Sequence, residues 1–273
     1  MSKNNFPYLH GFTSVEQERL RKQALFLEHL TYQDVDFSEA RDIIEVGCGV
    51  GAQSEILLRR FPHINLTGVE ISEKQLKQAK SHLGNQAWAK GRYQLHLMDA
   101  HKLDFKQKFD AAFFCWVLEH MPKPLNALKE VKKVLKPGAT IYLTEVMNHT
   151  FFLDPYSPNV WKYWLAFNDY QFENAGDPFI GVKLGNLLKD AGFSNIQTQL
   201  KNWFLDKRFP EQRKKALEFQ EELLLSGAQT LIEAKYIDEE TVGKMKQEFQ
   251  DVKKNKDSVI YYTFVQARAK VLS

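Results

Sequence analysis

Ile43-Ile44-Glu45-Val46-Gly47-Cys48-Gly49-Val50-Gly51-Ala52 is the stretch whose reading decides the fold. A β-rich run enters three closely spaced glycines and leaves into a segment of helical character. Glycines permit a tight turn there and let a ligand approach the backbone with no Cβ in the way. The helix N-terminus that follows adds a partial positive charge. Nineteen residues after Gly51, Glu70 closes the next apolar run, Leu66-Thr67-Gly68-Val69-Glu70. A carboxylate at that place accepts hydrogen bonds from both hydroxyls of a ribose, so the pair marks a nucleoside-containing cofactor. The pattern does not select which one: Gly47-x-Gly49-x-x-Ala52 with an acid about twenty residues on also satisfies the dinucleotide fingerprint.

Outward from this stretch, short β-rich runs alternate with helical ones. Strands are expected at Asp42–Val46, Asn65–Glu70, Tyr93–Met98, Phe109–Cys115, Thr140–Val146, Asn195–Lys201 and Val259–Ala267, with helices at 51–60, 72–83 and 123–135. That alternation marks βαβ units and a parallel sheet. Ahead of it, Thr13-Ser14-Val15-Glu16 reads as a capping box, and Leu20, Ala24, Leu27 and Leu30 predict a helix over about 14–30. Two stretches break the rhythm. Residues 148–182 hold ten aromatic residues between Phe151 and Phe179, and 206–257 is helical and charged, with eleven basic and twelve acidic residues.

The whole chain has 273 residues, 44% apolar, 26% charged and 13% aromatic, as ordinary globular proteins do. Thirty-seven Lys and Arg against thirty-four Asp and Glu leave a formal charge of +3, too small a surplus to point to a nucleic acid or an acidic membrane. Two cysteines, Cys48 and Cys115, are too few for a disulfide framework and suggest a reducing compartment. The start, MSKNNFPYLH, shows no signal-peptide pattern, and the longest apolar run, Ala111 to Leu118, is eight residues. The expectation is a soluble cytoplasmic protein without membrane insertion, a monomer or homodimer.

Four further motifs narrow the cofactor. Asp99-Ala100 closes the third strand run, and Phe109-Asp110-Ala111-Ala112-Phe113-Phe114-Cys115-Trp116-Val117-Leu118-Glu119-His120 forms the fourth. Val134-Leu135-Lys136-Pro137-Gly138-Ala139 precedes the fifth, and Ala191-Gly192-Phe193 approaches the sixth. With the glycine loop, these resemble the class I S-adenosylmethionine-dependent methyltransferases, in particular their small-molecule group. The resemblance runs from about Phe6 to Val146 and resumes at Leu187–Gln197. It implies an α/β, Rossmann-like, doubly wound seven-stranded and mostly parallel sheet with helical cap insertions. It divides the chain into an N-terminal helical segment over the cofactor (1–40), a cofactor-binding core (41–147) and an aromatic cap insertion (148–182). The remainder (183–273) completes the sheet around a helical insertion at about 206–257.

The same resemblance implies S-adenosylmethionine as cofactor, S-adenosylhomocysteine as product and a small molecule as methyl acceptor. Its cofactor-binding residues would be Glu45, Gly47, Gly49, Glu70 with Ile71, Gln75, Asp99, Ala100 and Cys115. Tyr8 would cover the methionine end, with Arg19 or Gln23 reaching its polar groups. Asp99 would accept from the adenine amine while the Ala100 N–H donates to a ring nitrogen. Cys115 contributes backbone, not a nucleophile. His120 is the candidate general base, by virtue of an imidazole's near-neutral titration, or else caps the turn; His149 is a second candidate. Trp161, Tyr163, Trp164, Phe167 and Tyr170 either wall an acceptor pocket over the sulfonium or form the insertion's own core. No metal-binding cluster is expected. Rival readings are a protein or tRNA methyltransferase recruited through 206–257, a non-enzymatic S-adenosylmethionine binder and an NAD(P)-dependent oxidoreductase.

Overall fold

The computed structural model describes residues 9–11 and 13–272. Strands β1 (Asp42–Val46), β2 (Asn65–Glu70), β3 (Tyr93–Leu97), β4 (Phe109–Cys115) and β5 (Leu135–Val146) run parallel in the order β3-β2-β1-β4-β5. Strand β8 (Val259–Lys270) adds antiparallel to β5. On its other side β8 pairs with β7 (Ser194–Leu205), also antiparallel. The order reverses at β1 and β4, so the crevice outside their carboxyl ends is the place where such sheets take ligands.

The sheet has eight strands rather than seven. The addition is β6, Phe152–Asp154, which pairs with Val259–Tyr261 at the start of β8, beyond the end of β5. Three residues inside an aromatic run carry too little alternation to announce a strand. Other strands exceed their expected limits for a tertiary reason. β7 and β8 continue to Leu205 and Lys270 because each supplies the other's ladder, pairing from Gln197↔Arg268 to Leu205↔Ile260. β5 begins at Leu135 because that residue pairs with Phe109, after which a bulge centred on Gly138 (φ 77°) carries the chain to the Ala111↔Thr140 pair.

Helices α1 (Ser14–Tyr32), α2 (Ala52–Arg60) and α3 (Glu73–Gly84) flank one half of the sheet; α4 (Pro124–Val134) and α6 (Leu184–Asp190) flank another. Thr13 and Ser72 cap α1 and α3 through their side-chain oxygens. One core cluster joins Ile44, Phe114 and Leu143 to Leu128, Val131 and Leu188 of α4 and α6. A second joins Ile43 and Phe113 to Leu57 of α2 and Tyr32 of α1.

A third cluster lies outside the sheet's parallel half. Helices α5 (Pro158–Glu173), α7 (Pro210–Ser226), α8 (Ala228–Glu233) and α9 (Glu239–Lys254) pack together with the first half of β8. Tyr163, Trp164, Leu217, Leu224, Met245 and Phe249 are fully or almost fully buried there. The aromatic run and the charged helices are therefore two halves of one cap, joined through their apolar faces. No described helix is long and apolar enough to cross a membrane.

Candidate active site

At the carboxyl ends of β1, β2 and β4, the Gly47–Gly51 turn folds back onto β2. The N–H groups of Gly47 and Cys48 donate to the Val69 carbonyl at 2.9 and 3.0 Å, and the Gly51 N–H to Cys48 at 2.8 Å. Gly47 has φ 70°, and a Cβ there would lie 2.2 Å from Val117 Cγ2, so only glycine lets this turn pass under the loop after β4. Gly49 also has a positive φ, 52°, but a Cβ there would meet nothing within 4 Å. Its openness faces the cavity rather than a packing neighbour.

Glu70 ties the loop to β2: its carboxylate accepts from the Gly49 N–H at 3.0 Å and the Ser72 N–H at 2.8 Å. Burial raises its proton affinity, and the N–H groups of Ser72, Gly49 and Ile71 oppose that rise. Glu45 lies beneath the turn, 2% exposed, and accepts from the Ser54 hydroxyl at 2.5 Å. Burial pushes its pKa to about 8, Ser54 pulls it down and the nearby Glu70 charge pushes it up.

These ends border a cavity of about 570 Å³. Gly47, Gly49, Glu70, Ile71, Gln75, Asp99, Ala100, Cys115 and His120 all line it; Glu45 does not, and supports the turn from behind. Tyr8 lies outside the described residues. Asp99 accepts from the His101 N–H and from its ring Nδ1 at 2.9 and 2.8 Å. Burial works against its charge, but the His101 hydrogen bonds and the imidazole's charge outweigh it and hold Asp99 below the usual carboxylate range. Gln75 receives the Gln17 amide at 3.0 Å, joining α1 to α3. Gln23 lines the cavity and accepts from Arg19 at 2.7 Å, while Arg19 itself is buried in a two-pronged pair with Glu16. Burial and three nearby carboxylates, Glu145, Glu45 and Glu119, keep the Cys115 thiol protonated, so it is no nucleophile.

His120 stands on a short turn after β4, its ring Nε2 3.8 Å from Glu119 Oε1. The turn is held from behind by buried Glu145, which accepts from the N–H groups of Val117, Leu118 and Glu119 at 3.0, 2.8 and 3.3 Å. Glu119 in turn receives the Gln171 amide at 3.0 Å and, through its carbonyl, the Asp177 N–H at 2.7 Å, which anchors the end of α5. That docking puts Asn174 and Ala175 on the cavity wall. They are the cap's contribution: Trp161, Tyr163, Trp164, Phe167 and Tyr170 belong to the cap core and do not line the cavity. His149 packs on Phe179, ring centroids 3.8 Å apart, and does not line the cavity either.

Sequence reasoning missed the apolar walls. Met98 and Met121 line the cavity, and neither was expected there. Trp116 also lines the cavity, and its φ of 52° turns the chain sharply at the end of β4.

Residues 44–143 match the family model of a methyltransferase domain. Over that segment the chain is similar to methyltransferase domains. Relatives of this domain include the O-methyltransferase cnsE of Penicillium expansum, 32% identical over 162 residues, which are 58% of this chain and 54% of that protein. A ubiquinone biosynthesis O-methyltransferase of Aeromonas salmonicida is 27% identical over 38% of this chain and 42% of its own length. The match thus spans about half the length of these relatives. Among solved structures, the Haemonchus contortus phosphoethanolamine N-methyltransferase 2, in complex with phosphomonomethylethanolamine and S-adenosylhomocysteine, superposes with a TM-score of 0.62 at 15% identity. That alignment covers all of this chain (100%) and 61% of that one. The 4+2 cyclase SpnF superposes with a TM-score of 0.53 at 23% identity, over 94% and 82% of the two chains. Both share the Rossmann-like fold of the methyltransferase domain.

Proposed function

We propose that this protein is an S-adenosylmethionine-dependent methyltransferase acting on a small-molecule acceptor. The observation that carries the reading is the alignment of three strand ends along one cavity. Asp99-Ala100 lies after β3, Glu70 with the Gly49 N–H lies at β2, and Cys115 to His120 lies after β4. They offer, in order, an adenine contact, a ribose acceptor and a chamber for the amino-acid end of an adenosyl cofactor.

When bound, the cofactor supplies a methyl group made electrophilic by its sulfonium. The chain's own work is alignment. The Gly47–Gly51 turn gives close approach, Glu70 fixes the ribose, and the loop held by Glu145 sets the angle at which an acceptor meets the methyl carbon. Holding reactants in line supplies roughly 7–11 kcal/mol of the barrier. His120 is placed to take the proton of a hydroxyl or amine as its bond to carbon forms; the names of the O-methyltransferase relatives favour a hydroxyl. The charged helices α7 and α9 spend their apolar faces on the cap core, which argues against a role as a recruitment surface. We assign the protein to the cytoplasm, as a monomer or homodimer, on composition and the absence of a disulfide pattern.

Thermal shift with S-adenosylmethionine, S-adenosylhomocysteine and NADPH tests the cofactor. A ligand at a hundred times its Kd adds about 2.7 kcal/mol, a shift of several degrees, and it is expected from the two adenosyl-sulfur compounds alone. Stabilisation by NADPH alone would overturn the reading. Because the cyclase neighbour shows that the fold does not dictate methyl transfer, label from methyl-tritiated cofactor should then be traced into a small-molecule rather than a macromolecular fraction. His120→Ala should lower turnover by roughly 10²–10⁴ while S-adenosylhomocysteine still binds. An unchanged pH–rate profile would return His120 to a structural role.

A further inference from the structure

Beyond β3 the chain turns through Asp99, Ala100 and His101, all three on the wall of the cavity. The Met98 N–H donates to the Glu70 carbonyl at 3.0 Å, one step past the Glu70↔Leu97 pair. The turn therefore stands beside the residue read as the ribose acceptor. The Lys102 N–H donates back to the Asp99 carbonyl at 2.9 Å and closes it. The Asp99 side chain keeps 46% of its surface exposed.

A carboxylate so exposed rotates readily about χ2, a broad and nearly two-fold torsion. Here one oxygen is held twice. Oδ1 accepts from the His101 backbone N–H at 2.9 Å and meets the His101 ring Nδ1 at 2.8 Å. Burial opposes the Asp99 charge, but the bonds from His101 hold its carboxyl below the usual carboxylate range. An ionised carboxylate has no hydrogen to give, so Nδ1 carries the one between them. The other ring nitrogen, Nε2, is buried and meets no hydrogen-bonding group. The ring's one hydrogen bond is thus the bond to Asp99. Among the described residues nothing but His101 donates to this carboxylate, and Oδ2 is the oxygen left for a ligand.

We infer that His101 is a positioning residue for purine recognition: it clamps Oδ1 of Asp99 and leaves Oδ2 set to accept from the 6-amino group of adenine. The adenine comes from the methyltransferase reading, on which this role rests; the selectivity at the purine 6 position goes beyond it. An oxygen that only accepts attracts an amine and repels a carbonyl, whose lone pairs would face it. A clamped carboxylate also has little rotation left to lose when the ligand arrives. Free to turn, the same carboxylate would swing away from a 6-carbonyl and discriminate less.

Calorimetry on the full chain tests this with two ligands: S-adenosylhomocysteine, and S-inosylhomocysteine, in which a carbonyl replaces the 6-amino group. The wild type is expected to bind the adenosyl compound roughly tenfold or more tightly than the inosyl one, the value of a hydrogen bond to a charged group. His101→Ala should cut that ratio by roughly threefold to tenfold, by weakening the adenosyl compound alone. His101→Asn, whose amide nitrogen can stand where Nδ1 stands, should restore it. Circular dichroism checks that both variants keep the fold. An unchanged ratio in His101→Ala, equal weakening of both ligands, no recovery in His101→Asn or no preference in the wild type would each overturn the inference and leave the methyltransferase reading in place. Binding of neither ligand by the wild type would sink the methyltransferase reading, and the role of His101 with it.

Discussion

The cofactor side and the cap are built on opposite plans. On the cofactor side, backbone geometry makes the site: a turn with three positive-φ glycines, strand ends in parallel register, and one carboxylate receiving loop N–H groups. Most of its parts come from residues 47–122, and they surround open space. In the cap, side-chain volume makes the structure. Trp164 stacks on Phe167 at 5.4 Å, donates its indole N–H to the Asn148 carbonyl at 3.0 Å and is 2% exposed. The cap surrenders only the turn after α5 to the cavity wall. One region is organised to leave a gap and the other to fill one, so substitutions in them should fail differently.

The strongest break of that comparison is Gly49→Val. A side chain there enters open cavity and meets no packed neighbour, at a backbone cost of about 1–2 kcal/mol for the left-handed φ. S-adenosylhomocysteine binding should fall by roughly a hundredfold or more in calorimetry, about 2.7 kcal/mol, with the fold retained by circular dichroism. Wild-type affinity would mean that the turn does not face the ligand.

Next comes the converse, Trp164→Ala. Removing a buried ring of this size costs about 3–5 kcal/mol, and the unfolding temperature should drop by on the order of 10 °C. Binding at low temperature should survive, because the ring is not on the cavity wall. Equal losses of stability and binding would show the two regions to be one cooperative site.

Glu70→Ala should weaken S-adenosylhomocysteine by roughly ten- to a hundredfold, the value of charge-assisted hydrogen bonds worth about 1.5–3 kcal/mol. Undiminished affinity would remove the ribose assignment and leave Glu70 as a clasp for Gly49.

The smallest effect concerns pH. Glu45 has a folded pKa of about 8 against an ordinary 4.5. Between those values the folded state holds a proton that the unfolded chain has released. Stability from this group is therefore full below the ordinary value and declines as pH rises through about 8. Glu145, also pushed to about 8 by burial and by Glu119, acts in the same direction. Glu45→Gln keeps an acceptor for Ser54 and cannot ionise. Its denaturant midpoint should fall less than the wild type's between about pH 6 and about pH 9. Parallel curves would mean that Glu45 does not titrate in that window.

Much of the cofactor side was legible because its signals are local. Gly47, Gly49 and Glu70 sit at strand ends whose positions the apolar runs give, and β1, β2 and β4 have the expected limits residue for residue. What was not legible depends on partners distant in sequence. The cap's rings looked able to wall a pocket, and only the apolar faces of α7 to α9 turn them into a core. Strand β6 exists only because the start of β8 is there to pair with it.

By itself, then, the amino-acid order determined the parallel βαβ core, the glycine turn and the acid that faces it. Strand, turn and helix preferences act over a few residues, and the direction of the next strand follows from them. Tertiary structure alone decided which rings are buried and which carboxylates lie behind the His120 turn. Those outcomes turn on desolvation and on hydrogen bonds between groups that meet only once the chain has closed on itself.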